Sequence, residues 1–296
     1  MIIVRLSGGM GNQMFQYALG RVLSIKHNVP LKLDTTFLFN QTAIPLVRKN
    51  FVPRPYALDV FTIEADSAKP NEIPWYGKPF FSGILMQAID ALLRKLAFLP
   101  GWEKSFTYSP RVLEYGPNTY LAGFWQSEKY FAALRPVLQK DFELSVPIGS
   151  ATKKLLEDIV STVSVCVHIR RSDIAASSFH DSVSLNYYTN AVAHINKNRP
   201  IEKLYVFSDD IGWCKEHVRF STPTVYVEND SAGTKNEGHF ALMRACKHFV
   251  IANSTFSWWA AWLAENPDKI VVAPKKWFGR ASIDDRDLVP EDWIRI

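Results

Sequence analysis

Five short apolar runs in the second half of the chain constrain the fold most. They read VSVCVHI (Val163 to Ile169), KLYVFSD (Lys203 to Asp209), TVYV (Thr224 to Val227), HFVIAN (His248 to Asn253) and KIVVAP (Lys269 to Pro274). Each is almost continuously apolar rather than alternating, as strands buried on both faces are. Helical periodicity separates them, around residues 186–197, 211–217, 238–245 and 257–265. Strand–helix alternation of this kind predicts a doubly wound parallel sheet, which takes its ligands beyond the carboxyl ends of its strands. The amino-terminal part opens similarly, with IIVRL, a glycine-rich turn SGGMGNQ, an apolar helical pattern through Leu23, and a second strand VPLKLD. A turn-like SVPIGSAT stretch near residues 145–150 divides the chain into an amino-terminal lobe, 1–148, and a carboxyl-terminal Rossmann-like lobe, 149–296.

The chain has 296 residues, enough for two such lobes. Its 34 basic and 29 acidic residues leave a net charge of +5, with no basic stripe interleaved with aromatics, so an anionic small molecule fits better than nucleic acid. Cys166, Cys214 and Cys246 show no CxxC spacing, which argues against a zinc site or a disulfide framework and for a reducing compartment. The start MIIVRLSGG has no signal-peptide pattern, and no run reaches the length of a membrane span. These features predict a cytoplasmic protein. FFSGILMQAIDALLRKLAFL (residues 80–99) is expected to be an amphipathic helix, packed on the protein or peripheral to the inner membrane.

Four constellations fall where strands end. The first is His168, Arg170, Arg171 and Asp173. Alternation turns His168 and Arg170 to one side and Arg171 to the other, so one guanidinium can face an oxyanion while the other braces the loop. The second is the Asp209–Asp210 pair, whose carboxylates could cap a helix, accept hydrogen bonds from a nucleoside, or hold a metal if further oxygen ligands joined them. The third is Asn253, Ser254, Thr255, Phe256 and Ser257, where hydroxyls meet a helix amino terminus and make a phosphate site. Trp258, Trp259 and Trp262 follow at helical spacing, and core packing is expected of at least two of them. The fourth is the first turn, where Gly9 and Gly11 permit close approach and Asn12 and Gln13 bring amides toward a ligand. It lacks the third glycine of a dinucleotide fingerprint and the lysine of a P-loop.

Together, GGMGNQMFQYA (residues 8–18), HIRRSDI (168–174), SLNYY (184–188), YVFSDD (205–210), LMRACKHFVIANSTFSWWAAWL (242–263) and APKKWF (273–278) resemble the bacterial α-1,2-fucosyltransferases of glycosyltransferase family 11. The resemblance spans almost the whole chain and fades over residues 40–145. It implies a two-lobed GT-B-type fold, GDP-β-L-fucose as donor with no metal or other cofactor, and inverting transfer to the 2-hydroxyl of a galactose-type glycan or lipid-linked oligosaccharide in surface-glycan synthesis. It also implies that Arg170 meets the β-phosphate, that His168 lies nearer the nucleoside, that Thr255 to Ser257 approach the diphosphate, and that Asp209 lies near the guanosine. Asp173 is the candidate base, with His168 and Asp181 behind it. One position departs from the family pattern, His239 standing where members often carry an acid. The alternatives are a metal-dependent transferase using Asp209 and Asp210, and a non-catalytic nucleotide-sugar or glycan-binding protein. Acceptor choice is expected to be written between Thr35 and Phe106.

Overall fold

The computed structural model describes residues 1–39, 53–74, 77, 101–171, 183–279 and 282–296. The chain forms two compact units, residues 1–143 with 284–288, and residues 144–283 with 289–296.

In the first unit, β1 (Ile2–Arg5) leads through the glycine turn into α1 (Met10–His27) and returns as β2 (Leu31–Asp34). A short α2 (Thr36–Phe39), β3 (Asp66–Ser67), β4 (Thr119–Leu121) and α3 (Arg135–Asp141) follow. All strand pairings are parallel, in the order β3-β2-β1-β4. Helix α1 lies close on the sheet because Gly20 has no side chain, and a Cβ there would collide with Val4 and Leu31. Its carboxyl end carries Lys26 and His27, which suit the helix dipole, and closes on Asn28 in the left-handed region at φ 51°.

The second unit runs α4 (Ser150–Val160), β5 (Ser164–Ile169), α5 (Leu185–Asn198), β6 (Lys203–Ser208), α6 (Ile211–His217), β7 (Thr224–Tyr226), α7 (Glu237–Ala245), β8 (His248–Val250), α8 (Thr255–Leu263), β9 (Val271–Ala273) and β10 (Ile294–Arg295). Its six strands are parallel in the order β10-β9-β8-β5-β6-β7. β5 therefore sits inside the sheet, and the winding reverses between β5 and β8. Every residue of β5 is buried, in keeping with helices on both faces. Val165, Val167, Ile169, Leu204 and Val206 pack with Tyr187, Tyr188, Ala191 and Ile195 of α5. The three tryptophans of α8 are at most 2% exposed, and Trp258 stacks on Trp262 at 6.0 Å. They are core, as their spacing predicts.

Among the described residues no helix is long and apolar enough to cross a membrane. The amphipathic segment at 80–99 and the candidate bases Asp173 and Asp181 lie outside the described residues.

Candidate active site

A doubly wound sheet binds ligands where the strand order reverses, because the loops leaving two neighbouring strands diverge there and open a crevice. In the second unit that point lies beyond β5 and β8. β5 delivers His168, Arg170 and Arg171, and β8 runs into Asn253, Ser254 and α8. The topology thus joins two constellations that are more than eighty residues apart in sequence.

The two groups are hydrogen-bonded to each other. Arg170 Nη1 donates to Ser254 Oγ at 3.1 Å. His168 Nδ1 lies 2.9 Å from Ser257 Oγ, and that hydroxyl donates to the Ser254 carbonyl at 3.2 Å. With its proton on Ser254, the Ser257 oxygen accepts from His168 Nδ1–H. Ser254, Ser257 and His168 are 2%, 0% and 8% exposed, whereas Arg170 is half-buried. The buried hydroxyls therefore orient the cation and the imidazole. Ser254 occupies the cap position of α8 without capping it by its side chain. Thr255 and Phe256 are the half-buried residues of the first turn, where helical N–H groups lack intrahelical acceptors. Asn253 turns inward, its Nδ2 donating to the Trp277 carbonyl at 3.1 Å, which ties this corner to the APKKWF segment. Tyr187 of α5 ties it again, its hydroxyl lying 2.7 Å from the Ile251 carbonyl.

Arg171 points elsewhere. Its guanidinium lies 3.5 Å from the centre of the Trp213 ring and 3.9 Å from Asp210, while Trp213 stacks on His217 at 4.6 Å. Alternation along β5 predicts this split, with His168 and Arg170 reaching α8 and Arg171 reaching α6. Asp209 Oδ1 accepts the Arg171 backbone N–H at 2.9 Å, and Asp210 caps α6 by accepting from Trp213 N at 3.2 Å. Both carboxylates thus shape loops. Among the described residues no cluster of three or more His, Cys, Asp or Glu side chains could hold a metal ion. His239, at the atypical position, lies against Phe207 at 5.6 Å and donates from Nε2 to the Glu228 carbonyl at 3.0 Å. Burial holds its pKa below the usual histidine value, against the opposing pull of that carbonyl.

The first unit has a corner of its own beyond β1 and β4. Gly8 adopts φ +76°, and a Cβ there would collide with Asn12. The Gly9 carbonyl accepts the N–H groups of Asn12 and Gln13 at 3.0 and 3.1 Å as α1 begins, and Gly11 is buried in the first turn. Gln13 departs from expectation. Its amide donates to the carbonyls of Gly8 and Pro55 and accepts from Ala57 N, so it braces the interior of the turn instead of facing outward. Asn12 is half-buried, and its Oδ1 accepts from Gln126 Nε2 at 2.9 Å. Gln126 went unremarked in the sequence because nothing local marks it. Only the pairing of β1 with β4 brings it beside the glycine turn.

Two doubly wound units with parallel sheets are the build of the GT-B-type fold. NodZ α-1,6-fucosyltransferase, in a crystal soaked with GDP-fucose, has the same fold at a TM-score of 0.52 and 14% identity, over 89% of this chain and 92% of that one. The pattern of glycosyl transferase family 11 matches residues 102–296, and the chain belongs to that family. An α-1,2-colitosyltransferase of Escherichia coli is 32% identical over all of this chain and 98% of its own length. The O-antigen biosynthesis glycosyltransferase WbnK of the same organism is 31% identical, over 98% of this chain and 99% of its own.

Proposed function

We propose that the protein transfers L-fucose from GDP-β-L-fucose to the 2-hydroxyl of a galactose-type acceptor, with inversion, without a metal, and in surface-glycan synthesis. The observation that carries this reading is the hydrogen bond from Arg170 to Ser254 across the β5/β8 corner. It aims a guanidinium at the place where an anion would meet the first turn of α8.

In the reaction the acceptor oxygen forms a bond to the anomeric carbon as the bond from that carbon to the β-phosphate oxygen breaks. Negative charge grows on the departing GDP, and the hydroxyl proton passes to a base. Arg170, the α8 N–H groups and the Thr255 hydroxyl stabilise the growing charge. A fixed array of donors is worth more there than in water, because nothing needs to reorganise as the charge appears. It takes the part a divalent cation plays in metal-assisted transfer. His168 lies nearer the nucleoside, and Asp209 lies on the guanosine side. Asp173 is the proposed base.

Arg170→Ala tests this directly. Turnover measured as GDP release should fall about 10²–10³-fold or more, since a preorganised charge-stabilising donor is lost. Circular dichroism and unfolding temperature should not change. Wild-type turnover in that variant would end the assignment. Excess EDTA should leave the wild-type rate unchanged, and a loss restored by Mn²⁺ would favour Asp209 and Asp210 as metal ligands.

A second reading concerns the donor sugar alone. The 32% identical relative is named for colitose, so we take a GDP-linked colitose as the alternative donor. Competition between the two GDP-sugars, read as the ratio of their kcat/KM values, decides between them.

A further inference from the structure

Beyond β4 the chain reads Gly123-Phe124-Trp125-Gln126, and two costs fall on its last two residues. Trp125 adopts φ +47°, a conformation that bulky side chains rarely take. The Glu103 carboxylate holds it there, accepting the N–H groups of Phe124 at 2.7 Å and Trp125 at 2.8 Å. Backbone strain kept in place by a dedicated partner is a mark of binding and catalytic corners. Trp125 and Gln126 are also 1% and 6% exposed, yet among the described residues Trp125 Nε1 and Gln126 Oε1 have no hydrogen-bond partner. Buried polar atoms left unpaired cost stability, and such exceptions call for an explanation.

The position supplies one. The residues lie where the first sheet reverses its order, and the other end of the Gln126 amide fixes Asn12 in the first turn of α1. We infer that Trp125 and Gln126 form a sugar-hydroxyl subsite in the first unit, with Gln126 Oε1 accepting from a ligand hydroxyl and Trp125 Nε1–H donating to a ligand oxygen. A phosphate or carboxylate does not suit it, because an anion would face an amide oxygen with the Glu103 carboxylate behind the same turn. A hydroxyl suits it, being both donor and acceptor and uncharged. The inference rests on the glycosyl-transfer reading only for the owner of that hydroxyl, which is either the acceptor or the donor sugar.

The test compares the wild-type enzyme with Gln126→Met, which keeps side-chain length and removes the amide, and with Trp125→Phe, which removes the N–H. We expect KM for one sugar substrate to rise about tenfold, the size of one hydrogen bond to a neutral group at its upper range. GDP affinity by calorimetry and unfolding temperature should hold. Single-deoxy acceptor galactosides sharpen the result. One of them should be about tenfold poorer than its parent with wild type and no poorer with Gln126→Met, because the pair it breaks is already gone. A rise confined to GDP-fucose, with all deoxy acceptors behaving alike in both enzymes, assigns the hydroxyl to the donor sugar. If the Met variant does not fold, Gln126→Asn withdraws the amide by one methylene and carries the same readout. Unchanged KM for both substrates overturns the subsite, as does a change that appears only together with lost GDP affinity and lost stability. Neither outcome touches the Arg170 assignment, which its own variants test.

Discussion

The two sheets reverse their strand order in the same way and fill the resulting corners with opposite chemistry. Beyond β5 and β8 stand a guanidinium, an imidazole and two buried hydroxyls that hold them in place. Beyond β1 and β4 stand a positive-φ glycine, two side-chain amides and an indole. Topology makes a crevice in both places, and side-chain charge then decides what it accepts. A cationic corner at a helix amino terminus suits a diphosphate, and an amide corner suits a neutral hydroxyl.

The largest expected effect bears on the cationic corner. Arg170→Lys keeps the charge and loses the planar fork, so turnover should fall about 10²–10³-fold, as if the donor were absent. A lysine enzyme with near-normal kcat would mean that charge alone suffices and would blur the contrast between the corners. Ser254→Ala should follow, at about 10–100-fold in kcat/KM, since a hydrogen bond to a charged group contributes roughly 1.5–3 kcal/mol. The loss should appear without a fall in unfolding temperature.

Gly8→Ala addresses the amide corner through its backbone. A left-handed alanine costs about 1–2 kcal/mol, and its Cβ would also meet Asn12. The unfolding temperature should drop by a few degrees with GDP affinity unchanged, and weakened GDP binding would show that the first corner also serves the nucleotide.

His239 bears on the second unit alone. Its folded pKa lies below the ordinary value because burial disfavours the imidazolium. The unfolded chain therefore takes the proton first on acidification. Stability is whole above about pH 6.5 and falls as the pH drops toward the folded pKa, by at most about 1.4 kcal/mol per pH unit. Buried His248, shifted the same way, adds to the slope. His239→Gln should flatten the pH dependence of unfolding between pH 7 and 5, and an unaltered slope would contradict this account of the residue. Trp213→Leu should show the smallest effect, about 0.5–1 kcal/mol, because it removes one partly exposed cation–π contact from Arg171. A loss as large as that of Arg170→Lys would make Arg171 a second anion ligand.

Much of this was legible in the sequence, for physical reasons. Continuous apolar runs mark doubly covered strands wherever they fall, so VSVCVHI and KLYVFSD announced β5 and β6. Strand alternation told Arg170 from Arg171. Local capping chemistry pointed to a cap within the Asp209–Asp210 pair, and the structure assigns it to Asp210, since the helix begins at the next residue. What stayed hidden depends on pairs distant in the chain. The contacts of Ser254 with Arg170 and of Ser257 with His168 are of this kind, since only the pairing of β5 with β8 brings them together. Gln13 looked like an outward amide, but Pro55 and Ala57, more than forty residues away, claim it. Trp125 and Gln126 carry no local pattern, because a strained turn after a three-residue strand looks like any loop until its φ is known.

The central claim is that the β5/β8 corner holds a diphosphate through Arg170, and calorimetric titration of the metal-free protein with GDP and with GMP tests it most directly. The wild type should bind GDP tighter than GMP by about tenfold or more, the range of a charge-assisted hydrogen bond, and Arg170→Ala should bind the two nucleotides alike. If the alanine variant still prefers GDP by the wild-type margin, the second phosphate rests elsewhere and the claim is wrong.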